Sequence, residues 1–143
     1  LGDKTLKCST CGSYGCVETD LGIENIVKQF PQIDQELPLP EKWKNCVDFL
    51  KKNSAQMEDR LDHWGRLLGQ VASILINLFD PDDFYITGYI TDIFPLLEKT
   101  FWEEVRARSQ EALGMNLRIS VKECSWSDVY IGISDAMYQL WIP

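Results

Sequence analysis

Three cysteines crowd together near the start of the chain, at Cys8, Cys11 and Cys16. Thiolates are preferred zinc ligands, usually in a closed tetrahedron completed by other thiolates or imidazoles. Cys8 and Cys11 are separated by two residues, a spacing from which a tight turn can aim both sulfurs at one ion. Gly12 and Gly15 lie between Cys11 and Cys16 and let the backbone fold back without steric cost. The pattern favours a zinc-type metal site over three reduced, unrelated thiols, with a redox pair as a further alternative. A fourth ligand is missing locally, because His63, the sole histidine, falls on a distant helix. Glu18 follows Cys16 by two residues. A carboxylate placed there can accept hydrogen bonds from vicinal hydroxyls while an adjacent metal loop fixes its position. The plainer alternative is a solvated acid ahead of a helix, favoured by the helix dipole.

The elements around these residues read as follows. Residues 1–18 form an irregular segment carrying the cysteines. Asp20 can cap a short helix with Ile23, Ile26, Val27 and Phe30 at spacings of three and four. Pro31, Pro38 and Pro40 predict a loop over 31–40. A second helix is expected over 41–53, with Trp43, Cys46, Val47 and Leu50 on one face. The longest helix is expected over 55–79 behind a Ser54 cap, and its stripe of Met57, Leu61, Trp64 and Leu68 could serve as core or as a dimer seam. Apolar residues on every side from Val71 to Phe79 predict that this helix begins on a surface and ends buried.

Asp80-Pro81-Asp82 is a stop, and Asp83–Thr87 reads as a strand ending at Gly88. Thr91 can cap a helix over 92–109, with Pro95 in its first turn and an exit at Leu113-Gly114. A second strand is expected over 117–121 and a last helix over 127–141. Strands joined by a helix are normally parallel, so the grammar is α/β. Two strands cannot cover both faces and both edges, which leaves the sheet incomplete within this chain.

With 143 residues, 45% hydrophobic and 25% charged, the chain has the makings of an ordinary globular domain. Its longest apolar stretch, Val71 to Phe79, is far short of the run of about 18 residues that spans a membrane. No export signal precedes the thiols, and five cysteines make a poor disulfide framework, so a cytoplasmic setting is expected. A net charge of -8 repels phosphate backbones, so the segment is not expected to bind nucleic acid directly. Asp80, Asp82 and Asp83 lack the other ligands of a calcium loop. Cys46 and Cys124 read as small core residues, and His63 as a partly exposed helix residue beside the stripe. The first residue is Leu1 rather than Met, which leads one to expect an excised segment.

The run Cys11-Gly12-Ser13-Tyr14-Gly15-Cys16-Val17-Glu18 resembles the signature Cys-Gly-x-x-Gly-Cys-Leu-Glu of the ROK family of sugar-responsive repressors and sugar kinases. Leu75 to Pro81 is similar to that family's buried helix and proline turn, and Asp135-Ala136-Met137-Tyr138 resembles the closing helix of its repressor branch. The resemblance covers essentially the whole chain. It implies the helix-rich C-terminal part of a ribonuclease-H-like, actin-like ATPase domain with two parallel strands. The chain would form a single partial domain: a zinc-type cysteine loop over 1–18, a helical segment over 19–79, and strand–helix–strand–helix over 80–143. Cys11 and Cys16 match two family zinc ligands. A third family cysteine falls at Ser9, for which this sequence offers Cys8, and a family histidine would lie before Leu1. Glu18 matches the glutamate that hydrogen-bonds a sugar hydroxyl.

Where the family places a glycine pair beside its nucleotide, Gly88 stands alone, followed by Tyr89. The resemblance thus implies the effector-domain part of a sugar-responsive transcriptional regulator. It would have zinc as cofactor, a sugar ligand in the intact protein, a homo-oligomeric state and no complete enzyme. The alternatives are the C-terminal lobe of an ATP-dependent sugar kinase and a zinc-stabilised interaction module.

Overall fold

Pro38 and Pro40 open a helix rather than close a loop. A proline in the first helical turn loses no hydrogen bond, because the N–H it lacks would have no partner there. In the computed structural model the helix α3 accordingly spans Leu39–Lys52, starting two residues earlier than the prolines suggested. The structure describes residues 1–109 and 117–122. The expected exit at Leu113-Gly114, Cys124 and the closing helix over 127–141 lie outside the described residues.

The helix expected behind an Asp20 cap is two short ones, α1 at Glu18–Leu21 and α2 at Ile23–Lys28, broken at Gly22. Glycine suits position 22 because a Cβ there would lie 2.5 Å from the Glu18 carbonyl oxygen, which is backbone and cannot step aside. Asp20 therefore lies inside α1 and is buried instead of capping it. The long helix α4 covers Glu58–Phe79, and Ser54 sits in the preceding turn without capping it. Asp80 closes α4 in the left-handed region at φ 45, a conformation that aspartate tolerates better than most residues. The strand β1, Asp83–Ile86, follows. Thr91 falls in a 3-10 turn over Tyr89–Asp92, where its hydroxyl donates to the Gly88 carbonyl at 2.7 Å instead of capping the next helix. That helix, α5, spans Phe94–Arg108 with Pro95 in its first turn. The strand β2, Arg118–Val121, pairs parallel with β1, Asp83 opposite Arg118 and Ile86 opposite Val121.

The core has two parts strung along α4. Its first half packs against α2 and α3 through Leu61 and Trp64, which meet Ile26, Phe30, Trp43 and Leu50. Its second half meets α5 and the sheet through Ala72 and Ile76, against Ile86, Phe101 and Val105. Leu61 and Trp64 are thus interior, and the stripe Met57, Leu61, Trp64, Leu68 is core within the chain rather than a dimer seam. The other end of α4 also differs from expectation: Leu78 and Phe79 are 69% and 70% exposed. A helix that is apolar all round need not be buried all round when, among the described residues, only part of its surface is covered.

Glycine sets how closely α4 and α5 approach. A Cβ at Gly65 would collide with the Thr100 hydroxyl and lie 2.7 Å from the Leu97 carbonyl oxygen. One at Gly69 would lie 2.7 Å from Glu104 Cβ and 2.8 Å from the Phe101 oxygen. The two glycines are four apart and so share a helix face. Among the described residues no helix is long and apolar enough to cross a membrane.

Candidate metal centre

The cysteine segment is a small hairpin. Lys7 pairs antiparallel with Tyr14, the Cys8 amide donates to the Ser13 carbonyl at 2.8 Å, and the Gly12 amide returns to the Cys8 carbonyl at 2.9 Å. Gly12 and Gly15 turn the chain at φ 74 and 75, where a side chain would be strained. A second pair of bonds, Gly2 to Gly15 and Gly15 to Asp3, both 3.1 Å, ties the hairpin to the first residues. The chain then enters α1 directly after Cys16, with the Thr19 hydroxyl donating to the Cys16 carbonyl at 2.6 Å.

This fold brings the sulfurs of Cys8, Cys11 and Cys16 within 4.8 Å of one another, with Cys11 and Cys16 3.3 Å apart. Tetrahedral zinc with bonds of about 2.3 Å holds its sulfurs about 3.8 Å apart. The observed spacing lies close to that value, so the donor set suits such an ion. Cys8 takes part and Ser9 stays exposed outside the cluster. Cys8 is buried, Cys16 half-buried and Cys11 exposed, so the cluster is reachable from one side. His63 is not in the group, and no further histidine, cysteine or acid joins it among the described residues.

The thiols are also unequal as acids. The Ser13 amide and the Cys16 thiol both donate to Cys11 and bring its pKa down from 9.0 to about 7. The Cys16 thiol is raised to about 11, because it keeps the proton it donates to Cys11 and is partly desolvated. One thiolate therefore forms near neutral pH, which is the species that a metal binds. Buried Cys46 on α3 is the contrast, its thiol pushed up to about 11 by desolvation alone.

Glu18 opens α1, two residues from Cys16, with an exposed side chain that folds back over Gly22. The Asn25 amide holds its backbone carbonyl at 2.7 Å. Gly88 belongs to another part of the molecule, the turn after β1, where it adopts φ 82 with open space around it. Tyr89 leaves that turn to meet Trp43 edge-on at 6.2 Å, and the Trp43 indole donates to Asp92 at 2.6 Å. Asp83 is occupied by Arg118, which donates twice to its carboxylate at 2.7 and 2.6 Å.

A pair that local spacing does not reveal is Asp20 with His63. The Asp20 carboxylate receives the Asp3 amide at 2.8 Å and lies 3.0 Å from His63 Nε2. An acid inside a helix of four residues looks like any surface acid in sequence, and the partner stands 43 positions away.

The model of the ROK family matches residues 1–134. The chain belongs to the ROK family. The DNA-binding transcriptional dual regulator NagC of Escherichia coli K12 is 29% identical to it over 117 residues, which is 76% of this chain and 28% of that protein. The N-acetylglucosamine repressor of Shigella flexneri matches to the same extent. This ROK chain thus spans about 28% of the length of the curated relatives it matches. Among solved structures, a ROK family transcriptional regulator described as a homolog of the E. coli MLC protein superposes with a TM-score of 0.58 and 26% identity. The match covers 82% of this chain and 31% of that one. The helix-rich arrangement with two parallel strands is the fold this ROK chain shares with it.

Proposed function

We propose that this chain is the C-terminal, cysteine-loop part of the effector domain of a ROK sugar-responsive transcriptional regulator. In the intact protein it would form one partial domain of the actin-like, ribonuclease-H-like type, act in the cytoplasm, and associate with further copies of itself. The observation that carries the reading is the convergence of Cys8, Cys11 and Cys16 immediately ahead of α1, whose first residue is Glu18. Zinc, when bound by these three thiolates, cross-links the hairpin and stiffens the entry to α1. Glu18 then presents an exposed carboxylate, and vicinal sugar hydroxyls donate well to such a group. The relatives named for N-acetylglucosamine make an N-acetylated hexose the first sugar to test. A regulator is favoured over a kinase because the turn at Gly88 carries a single glycine and its neighbour Tyr89 packs on Trp43. Glycine suits a backbone that must approach a ligand closely, and the bulky Tyr89 stands where the family resemblance would place a second one. The chain is therefore read as having no catalytic role.

The test is elemental analysis of protein purified without added metal. About one zinc ion per chain is expected, lost in Cys16→Ser. A metal-free wild-type protein would remove both the site and the role given to Glu18.

A further inference from the structure

Asp20 is a carboxylate only 9% exposed, and among the described residues His63 is the one basic side chain that reaches it. Burying such a group is costly unless donors surround it. Two donors reach it, and a hydroxyl lies nearby. The Asp3 amide bonds Oδ2 at 2.8 Å, and the Thr19 hydroxyl lies 3.1 Å from the same oxygen. His63 reaches across from α4 to Oδ1 at 3.0 Å.

Two of these contacts lead back to the cysteine hairpin. The Asp3 carbonyl accepts the amide of Gly15, the residue before Cys16. The Thr19 hydroxyl donates to the carbonyl of Cys16 itself. Gly2 passes so close that a Cβ there would collide with the Cys16 carbonyl and lie 2.8 Å from Asp20 Oδ2. Asp20 is thus wired to the thiol cluster, and His63 ties it to α4.

We infer that Asp20 and His63 are positioning residues that register the metal hairpin and Glu18 on α4. This rests on the reading of the cysteines as a metal site. Groups that hold metal ligands in place typically change metal retention by about 10- to 100-fold when removed. His63 acts through Asp20, and Asp20 through the backbone at Asp3, Thr19 and Cys16. The long helix α4 carries this anchor near its start and packs against α5 and the strands further along. The state of the hairpin is therefore mechanically joined to the body of the domain at His63.

The experiment compares wild type with His63→Ala, His63→Gln and Arg66→Ala. Arg66 is an exposed residue of the same helix, paired among the described residues with Asp62 alone, and it serves as the control. Zinc-loaded protein is challenged with a chelator and the release rate followed. His63→Ala should release zinc about tenfold faster. His63→Gln, whose amide can still donate to Asp20, should recover most of the retention, and Arg66→Ala should behave as wild type. His63→Gln and Arg66→Ala should keep the wild-type melting midpoint. Equal release from His63→Ala and wild type would overturn the inference, as would the same acceleration in Arg66→Ala. Hydrogen exchange at the Asp3 and Gly15 amides of metal-free protein separates this inference from the reading beneath it. Faster exchange in His63→Ala, in a chain that binds no zinc, would retain the brace and discard the metal. Unchanged exchange in a chain that does bind zinc would discard the brace alone.

Discussion

The cysteine hairpin and the helical body are built on opposite principles. Residues 2 to 20 owe their shape to specific polar groups: the amides of Gly2, Cys8, Gly12 and Gly15, the Thr19 hydroxyl and the Asp20 carboxylate. The body owes its shape to apolar volume, with Ile26, Leu50, Leu97 and Phe101 fully shielded from water. A hydrogen-bonded unit loses its geometry when one donor is removed, because the orphaned partner is left without a substitute. An apolar core spreads each loss over many neighbours and is felt as a graded cost. The hairpin should therefore fail locally and the body globally, and three experiments bear on that contrast.

The largest effect is expected in the body. Trp64 is 1% exposed and meets Phe30 edge-on at 6.4 Å. Trp64→Ala should cost about 3–5 kcal/mol in urea unfolding, because partial collapse leaves part of the cavity open. Helix and hairpin signals should be lost together. A loss confined to the hairpin would reverse the assignment of the two principles.

Gly65→Ala should come next, at about 1–3 kcal/mol. Its methyl group meets the Thr100 side chain and the backbone of Leu97, and backbone cannot step aside as the end of a side chain can. A neutral or stabilising result, as alanine's higher helix propensity alone would give, would show that α4 and α5 are not held at glycine distance.

The smallest effect is one of rate. In metal-free protein, alkylation of Cys11 should rise with pH through about 7, since its thiol is lowered from 9.0 by the Ser13 amide and the Cys16 thiol. Cys46 should stay inert at the same pH, its thiol being pushed up to about 11 by burial. The sign also applies to folding of the hairpin. The lowered Cys11 value favours the folded hairpin as pH rises from about 7 to the ordinary 9.0, and the raised value of its partner Cys16, about 11, withdraws that preference above 9.0. Peptide mapping after brief alkylation at pH 6, 7 and 8 would decide it. Equal labelling of Cys11 and Cys46 would mean that the two regions do not differ in the way described.

Much of this could be read from single residues. The spacing of Cys8, Cys11 and Cys16 and the two glycines between the last pair signalled a closing loop, because few other backbones turn back so tightly. The apolar period marked α3, α4 and α5, and the crossover helix implied that β1 and β2 run parallel. The errors fell at the ends of elements. Ser54, Asp20 and Thr91 are all good capping residues by type, yet none caps a helix here. A side chain that can accept one local amide can equally be drawn off by another partner: Asp20 by Asp3 and His63, Thr91 by Gly88.

By itself the sequence determined the local chemistry: which residues could turn, which could ligate, and which faces of each helix were apolar. These depend on neighbours within a few positions, and side-chain type and spacing express them directly. Only the tertiary structure decided which apolar face found a partner. Leu61 and Trp64 became core while Leu78 and Phe79, equally apolar, stayed exposed. It also decided that Gly65 and Gly69 face α5, and that Asp20 meets His63 across 43 positions. Long-range pairing depends on where whole helices come to rest, which is fixed by the summed burial of the chain and not by any one residue in it.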